Sequence, residues 1–268
     1  MPKKASYETK YIYKGITLCK KNLPKIIKNV MSQRVCWPYW AGWADGDGNF
    51  TKSYYILRLA DHEPVVKLGE MFLANVTLMQ DEEKYYQKRT GNPNAKIKIR
   101  AKVQLSGERG VYFSEHVAPY VIDKSNHLYR LLKNKKIHKK FSYLEFNEEE
   151  FIQWLTGFCE AEGYFQYNKI ICRYCLQIPN TNLTLMRYIS GWLNKLNITH
   201  GHYTRRDQEG RTFEGLNQVY DAKDCDLIHI SGQNSIPLLK RMIPYMLIKR
   251  KKQAAINIVN HKYKARKN

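Results

Sequence analysis

The chain has 268 residues, and its 45 Lys and Arg against 24 Asp and Glu give a formal charge of +21. So large an excess of positive charge indicates a polyanionic partner, and nucleic acid is the commonest one. The sequence contains no apolar run long enough to span a membrane and no evident signal peptide, and its six scattered cysteines argue against a disulfide framework.

The chain begins with a basic segment, residues 1–30, which contains eight lysines and one acid. We expect this extension to add contacts to a nucleic-acid backbone. Pro38 then predicts the first turn of a helix, because the N–H that proline lacks would have no partner there. The helix continues through Trp40–Gly48, which ends in the pattern acid-x-acid-Gly.

A second copy of that pattern, Leu155–Gly163, lies in the other half of the chain. Asn147 and Glu150 precede it with the spacing of a capping box, which predicts the start of another helix. Both copies carry small residues four positions apart, and these allow two helix backbones to approach closely. The small residues are Gly42 and Gly46 in the first copy and Gly157 and Ala161 in the second.

Packing of these helices would place Asp47 beside Glu162 at the negative ends of both helix dipoles. Two carboxylates are unfavourable there unless a cation joins them, and Mg²⁺ binds through one or two carboxylates plus phosphate oxygens. For a single copy, an ordinary solvated helix end would be the simpler interpretation. Two matched copies favour a shared metal site.

The two segments resemble the motif of the LAGLIDADG homing endonucleases, in the single-chain form that carries two copies. The resemblance implies an α+β fold of two pseudo-symmetric αββαββα repeats, with saddle-shaped antiparallel sheets and the motif helices at the repeat interface. It makes Asp47 and Glu162 the ligands of Mg²⁺ or another divalent cation. The backbone carbonyls of Gly46 and Ala161 are candidate further ligands. Glu162 departs from the usual Asp by one methylene but keeps the charge and the oxygens.

The internal repeat extends beyond the motifs, because Ala118–Lys124 matches Ile243–Lys249. We therefore predict a functional monomer with internal pseudo-two-fold symmetry. Its predicted parts are a basic extension (1–30), a first repeat (31–135), a basic linker (136–146) and a second repeat (147–268).

Lys124 and Lys249 resemble the basic residues near the family's cleavage pocket, where they would stabilise charge or position solvent. A phosphate anchor is the alternative for each, and Arg250 is the alternative to Lys249. Asp61 and Asn180 are further candidates for supporting the site.

Several strands predict a DNA-binding surface. The clearest runs from Lys96 to Val103 and alternates strictly, with all cations on one face. A solvated sheet face is the alternative interpretation, but four cations without a balancing acid favour contacts with phosphates or a groove. Arg and Gln side chains on other strands suit guanine and adenine edges. The predicted DNA-binding residues are Lys96, Lys98, Arg100, Lys102, Arg58, Arg173, Gln177 and Arg205.

Three classes of function fit these observations. The first is a site-specific homing endonuclease that hydrolyses both strands of a long double-stranded DNA target with a divalent metal. The second is an intron maturase of the same family, which would make intron RNA a partner. The third is a DNA-binding regulator that has lost catalysis. Acids retained in both motifs argue against the third, because their repulsion has little purpose without a metal.

Overall fold

The computed structural model describes residues 10–80, 99–135, 137, 145–168, 170, 173–205 and 225–261. The helices in these ranges are α1 (Leu23–Ser32), α2 (Trp37–Asp45), α3 (Glu63–Met71), α4 (Gly107–Val117), α5 (Ser125–Asn134), α6 (Glu148–Ala161), α7 (Leu183–Lys195), α8 (Gly232–Met242) and α9 (Lys249–Val259). The strands are β1 (Tyr11–Tyr13), β2 (Asn49–Phe50), β3 (Tyr54–Leu59), β4 (Val76–Gln80), β5 (Ile99–Ser106), β6 (Tyr164–Asn168), β7 (Arg173–Asn180), β8 (Gly201–Arg205) and β9 (Cys225–Ser231).

Helices α2 and α6, which carry the two motifs, each begin the same series of elements. Two strands, a helix, two more strands and two helices follow each of them. Strand pairing is antiparallel in both sheets, in the order β1-β4-β5-β3-β2 for the first and β6-β7-β9-β8 for the second. The predicted α+β class with two related repeats is therefore confirmed. Each repeat also has one helix more than the predicted αββαββα series.

The two motif helices form the most extensive contact between any two of the described elements. A Cβ placed on Gly42 would lie 2.0 Å from the carbonyl oxygen of Trp154, and a Cβ on Gly157 would lie 2.0 Å from that of Tyr39. No side chain fits at either position, so the small residues are what lets the backbones meet. The helix starts also follow the sequence, because Pro38 lies in the first turn of α2 and Asn147 forms a capping box with Glu150 at α6.

Each sheet packs one face against helices and leaves the other face more polar. In the first sheet, Tyr55, Leu57, Val103 and Leu105 are fully buried, whereas Arg58, on the opposite face, is exposed. This alternation is expected of an antiparallel sheet with one covered face. The core lies between the sheets and the helices, and the motif helices connect its two halves.

The part of the N-terminal extension that the structure describes belongs to the first repeat. Strand β1 adds an edge strand to the first sheet by pairing with β4. The buried guanidinium of Arg109 donates to the carbonyls of Ile16, Phe72 and Leu73 at 2.7–2.8 Å. The described part of the extension is therefore fixed to the first repeat by strand pairing and by the hydrogen bond from Arg109 to Ile16.

Some predicted features lie outside the described residues, namely Lys96, Lys98 and most of the basic linker. None of the described helices is both long enough and apolar enough to cross a membrane.

Candidate active site

The second acid of each motif lies where the two motif helices end together. Asp47 follows α2 and reaches solvent, while Glu162 caps the C-terminus of α6 and is half-buried. A Cβ on Gly46 would lie 2.3 Å from the Cβ of Ala161 and 3.5 Å from the Cγ of Glu162, so the C-terminal ends of α2 and α6 are in contact. Asp47 and Glu162 therefore lie at adjoining helix ends, and their role as metal ligands stays a prediction.

Both carboxylates lose solvation at this position, and Glu162 is also repelled by Asp47. Loss of solvation raises the pKa of Asp47, and loss of solvation together with the nearby Asp47 charge raises the pKa of Glu162. The charges of Lys124 and Lys251 oppose both shifts. The site is therefore a pair of like charges held together by the fold and only partly compensated.

The first acid of each motif has a different, structural role. Asp45 is buried and accepts hydrogen bonds from the backbone N–H groups of Ile122, Asp123 and Lys124 at 2.8–3.0 Å, which satisfies donors at the start of α5. Its fourth donor, at 3.0 Å, is the indole of Trp154 in the other repeat. Burial raises the pKa of Asp45 to about 6.

Glu160 repeats this arrangement in the second half. Its carboxylate accepts from the N–H groups of Leu247 and Ile248 at 3.1 and 2.7 Å, at the start of α9. The hydroxyl of Tyr39, again from the other repeat, donates to it at 2.6 Å. The acid-x-acid pattern thus splits into one acid that holds the repeats together and one that faces the site.

Lys124 is the first of two lysines at the site. Its ammonium donates to the carbonyls of Gly46 and Gly48, the latter at 2.7 Å, and these residues flank Asp47 in the chain. Burial lowers the pKa of Lys124. The negative charges of nearby acids oppose that shift, and Asp45 has a larger effect than Glu162.

Lys251 occupies the corresponding place in the second half. The internal repeat in the sequence had predicted Lys249 for this place. The ammonium of Lys251 donates to the carbonyls of Cys159, Glu160 and Gly163 at 3.3, 2.7 and 2.9 Å. Lys249 is exposed at the first position of α9. The predicted pairing of Lys124 with Lys249 rested on their equal spacing from Pro119 and Pro244 in the two matched segments, and the structure instead places Lys251 opposite Lys124. Lys251 lies two positions further into α9, on the side that faces α6.

Arg250, the alternative to Lys249, is engaged elsewhere. Its guanidinium donates to both carboxylate oxygens of Asp61 at 2.7 and 2.5 Å, which joins the two repeats beside the site. These bonds lower the pKa of Asp61. Asn180 accepts a hydrogen bond from the backbone of Asn182, whose side chain in turn donates to Asp123 of the first repeat.

A divalent cation fits this donor set. Asp47 and Glu162 offer hard anionic oxygens, and the carbonyl of Ala161 is adjacent in the chain. The carbonyl of Gly46, the other predicted ligand, instead accepts from the ammonium of Lys124. Among the described residues there is no cluster of three or more His, Cys, Asp or Glu side chains that could enclose a metal. Such a site suits Mg²⁺, which keeps several waters and is completed by phosphate oxygens, better than a metal that needs a full protein cage.

The polar sheet faces carry the described DNA-binding candidates. Arg58 pairs with Lys102 across β3 and β5, and Arg100 lies two residues along β5 on the same face. Burial raises the pKa of Asp47, and the charge of Arg100 opposes that rise after those of Lys124 and Lys251, so this face borders the site. In the second sheet, Arg173 and Gln177 share one face of β7. Arg205 ends β8, opposite Cys225.

Comparison with known proteins adds a likeness of fold. No family model and no curated protein matches the chain. Variants of the homing endonuclease I-DmoI are 18% identical, with 82% of this chain and 99% of that one covered and a TM-score of 0.41. I-WcaI bound to its DNA recognition sequence is 13% identical, with 88% and 95% covered and a TM-score of 0.48. The LAGLIDADG homing endonuclease I-SmaMI bound to cleaved DNA is 12% identical, with 84% and 88% covered and a TM-score of 0.44.

The likeness to these homing endonucleases extends over most of this chain. I-DmoI has been crystallised with DNA and Mn, and with DNA and Ca. At such low identities the function of this chain has to be inferred from its own site.

Proposed function

We propose that this chain is a site-specific endonuclease that hydrolyses both strands of a long double-stranded DNA target with a divalent cation, which we expect to be Mg²⁺. The observation that carries the proposal is the pair Asp47 and Glu162, held together at the seam between two repeats. Without a cation this pair costs stability, so its presence at the end of two closely packed helices supports a metal-binding role.

The surroundings of the pair favour DNA as the substrate. Arg58, Arg100 and Lys102 line the polar face of the first sheet beside the site, and Arg173 and Gln177 line that of the second. A duplex lying along both faces would present its backbone to the seam between the repeats. Two related repeats also match the approximate two-fold symmetry of a duplex, in which each strand offers one phosphate.

Hydrolysis forms a bond from a water oxygen to phosphorus and breaks the bond from phosphorus to O3′, and a proton from the water ends on the leaving oxygen. A bound divalent cation would supply charge neutralisation and water activation at this place. Asp47 and Glu162 would hold it, with Ala161 contributing a carbonyl oxygen, because the carbonyl of Gly46 already accepts from the ammonium of Lys124. The ammonium of Lys124 would lie beside the phosphate and stabilise its developing charge.

The test is cleavage of a randomised duplex library in Mg²⁺, with every cut end sequenced, followed by binding of the selected site in Ca²⁺. We expect one long motif to be cut on both strands. Asp47→Asn and Glu162→Gln should each lower the cleavage rate at least 100-fold and leave binding within about threefold, because they remove charge from the seam and not from the sheet faces.

Glu148→Gln is the matched control, since Glu148 is an exposed acid at the opposite end of α6, paired with Arg241. It should cut at the normal rate. Full cleavage by both site variants would remove Asp47 and Glu162 from the metal site. Tight binding without any cleavage would leave a DNA-binding protein.

A further inference from the structure

The two site lysines differ in how many of their protons are already in use. An ammonium group has three N–H donors and no acceptor. Lys251 places all three on main-chain carbonyls, those of Cys159, Glu160 and Gly163, at 2.7–3.3 Å. The residue is only 8% exposed. It therefore has no donor left for a phosphate unless it gives up a bond that caps α6.

Lys124 is less committed. Its ammonium donates to two carbonyls, those of Gly46 and Gly48, among the described residues. The side chain is half-buried and so remains open to solvent on one side. One proton can thus be presented to a ligand while the other two keep the turn around Asp47 in place.

The neighbouring cations strengthen this difference between the halves. Arg250, next to Lys251, is held by both oxygens of Asp61. On the first side, Arg100 contributes a positive potential at Asp47. The strand register pairs Tyr54 with Ser106 and Cys175 with Ser231, so Cys225 stands in the second sheet where Arg100 stands in the first.

We propose that the two lysines have divided roles, with Lys124 donating to one scissile phosphate and Lys251 acting only as a positioning residue that fixes the turn carrying Glu162. The inference rests on the proposed endonuclease function. It follows that the two strands are cut at unequal rates, and that the phosphate beside Lys124 is cut first, leaving a nicked intermediate.

The experiment uses a duplex of the selected site with a different fluorophore on each strand, under single-turnover conditions over a range of Mg²⁺ concentrations. The unsubstituted chain should cut one strand at least fivefold faster than the other. Lys124→Met should lower the maximal rate of the faster strand at least 50-fold at saturating Mg²⁺. Lys251→Met should keep both maximal rates within about threefold, raise the Mg²⁺ concentration for half-maximal rate, and lower the melting temperature.

Lys251→Arg serves where Lys251→Met folds poorly, because a guanidinium can donate to the same carbonyls. Lys251→Arg should have the same Mg²⁺ dependence as the unsubstituted chain. Such a rescue would show that the change in Lys251→Met comes from the lost hydrogen bonds and not from a general loss of stability. Lys240→Met, an exposed lysine of α8, is the control and should change neither rate.

Each failure has a separate meaning. No cleavage by the unsubstituted chain would overturn both the proposed function and the division of roles. Equal rates on the two strands would overturn the division alone. The division of roles would also be overturned if the maximal rate in Lys251→Met fell as far as in Lys124→Met. The same holds if it fell as far in a folded Lys251→Arg.

Discussion

At the scale of single residues, burial has different consequences for polar groups that look alike in the sequence. Tyr39, in motif helix α2, and Tyr55, in strand β3, are both buried aromatic residues. The hydroxyl of Tyr39 donates to Glu160 at 2.6 Å, whereas the buried hydroxyl of Tyr55 has no partner in the described part of the chain. The same contrast separates Glu160, whose carboxylate accepts three hydrogen bonds, from Glu162, whose carboxylate accepts none from the described residues.

This contrast predicts opposite effects of the same substitution. Tyr55→Phe should raise the free energy of unfolding of the metal-free protein by about 1 kcal/mol, because it removes a buried donor that makes no hydrogen bond. Tyr39→Phe should lower it by about 1–2 kcal/mol, because Glu160 loses a donor. Urea unfolding followed by circular dichroism measures both. A loss in Tyr55→Phe as large as that in Tyr39→Phe would show that its hydroxyl is hydrogen-bonded in solution.

At the scale of secondary-structure elements, the backbone contact between α2 and α6 decides where the site forms. Gly42 and Gly157 are related by the repeat, and each lies against a carbonyl of the opposite helix. Any side chain there would force the helices apart and separate Asp47 from Glu162. The same separation would break the bonds from Trp154 to Asp45 and from Tyr39 to Glu160.

Gly42→Ala should therefore lower the free energy of unfolding by about 3 kcal/mol or more, because a Cβ 2.0 Å from the Trp154 oxygen cannot be accommodated without moving backbone. Cleavage should fall with it. Gly191→Ala is the matched control, since Gly191 lies in helix α7 with nothing within 4 Å of its Cβ position. That change should stabilise the protein by about 0.5–1 kcal/mol. Thermal unfolding of both variants tests the contact, and a harmless Gly42→Ala would contradict it.

At the scale of the whole molecule, the proposed function assigns DNA binding and hydrolysis to different charged groups. The formal charge of +21 supplies general attraction to DNA, while the acids of the site lie at the seam between the repeats. Arg58 and Lys102 belong to the polar face of the first sheet and not to the seam. Removing one of them should therefore weaken binding without stopping hydrolysis.

We expect this in the salt dependence of binding. Arg58→Gln or Lys102→Gln should each reduce the slope of log K against log salt concentration by about 0.9, the value for one lost phosphate contact. Fluorescence anisotropy with the selected duplex in Ca²⁺ measures the slope. Lys240→Gln, on α8, should leave it unchanged. An unaltered slope in both sheet variants would show that this face does not contact the DNA backbone.

Much of the site can be predicted from the sequence because the signals are local or repeated. The acid-x-acid-Gly endings, the small residues four apart and the capping box at Asn147 depend on neighbours along the chain. Repetition of the motif indicated two related halves, and helix geometry then placed Asp47 beside Glu162. The polar alternation of β5 likewise needs only the period of a strand.

Only the tertiary structure decided which of several similar side chains faces the site. Four cations occupy the first four positions of α9, and the sequence alone does not tell that Lys251 caps the C-terminus of α6 while Arg250 binds Asp61. In the same way, the sequence does not tell that Asp45 and Glu160 each accept from backbone N–H groups of their own repeat and from one side chain of the opposite repeat. Sequence patterns determine periodicity and local geometry, but a hydrogen bond between residues 100 positions apart depends on how the elements pack, and packing is set by the whole chain at once.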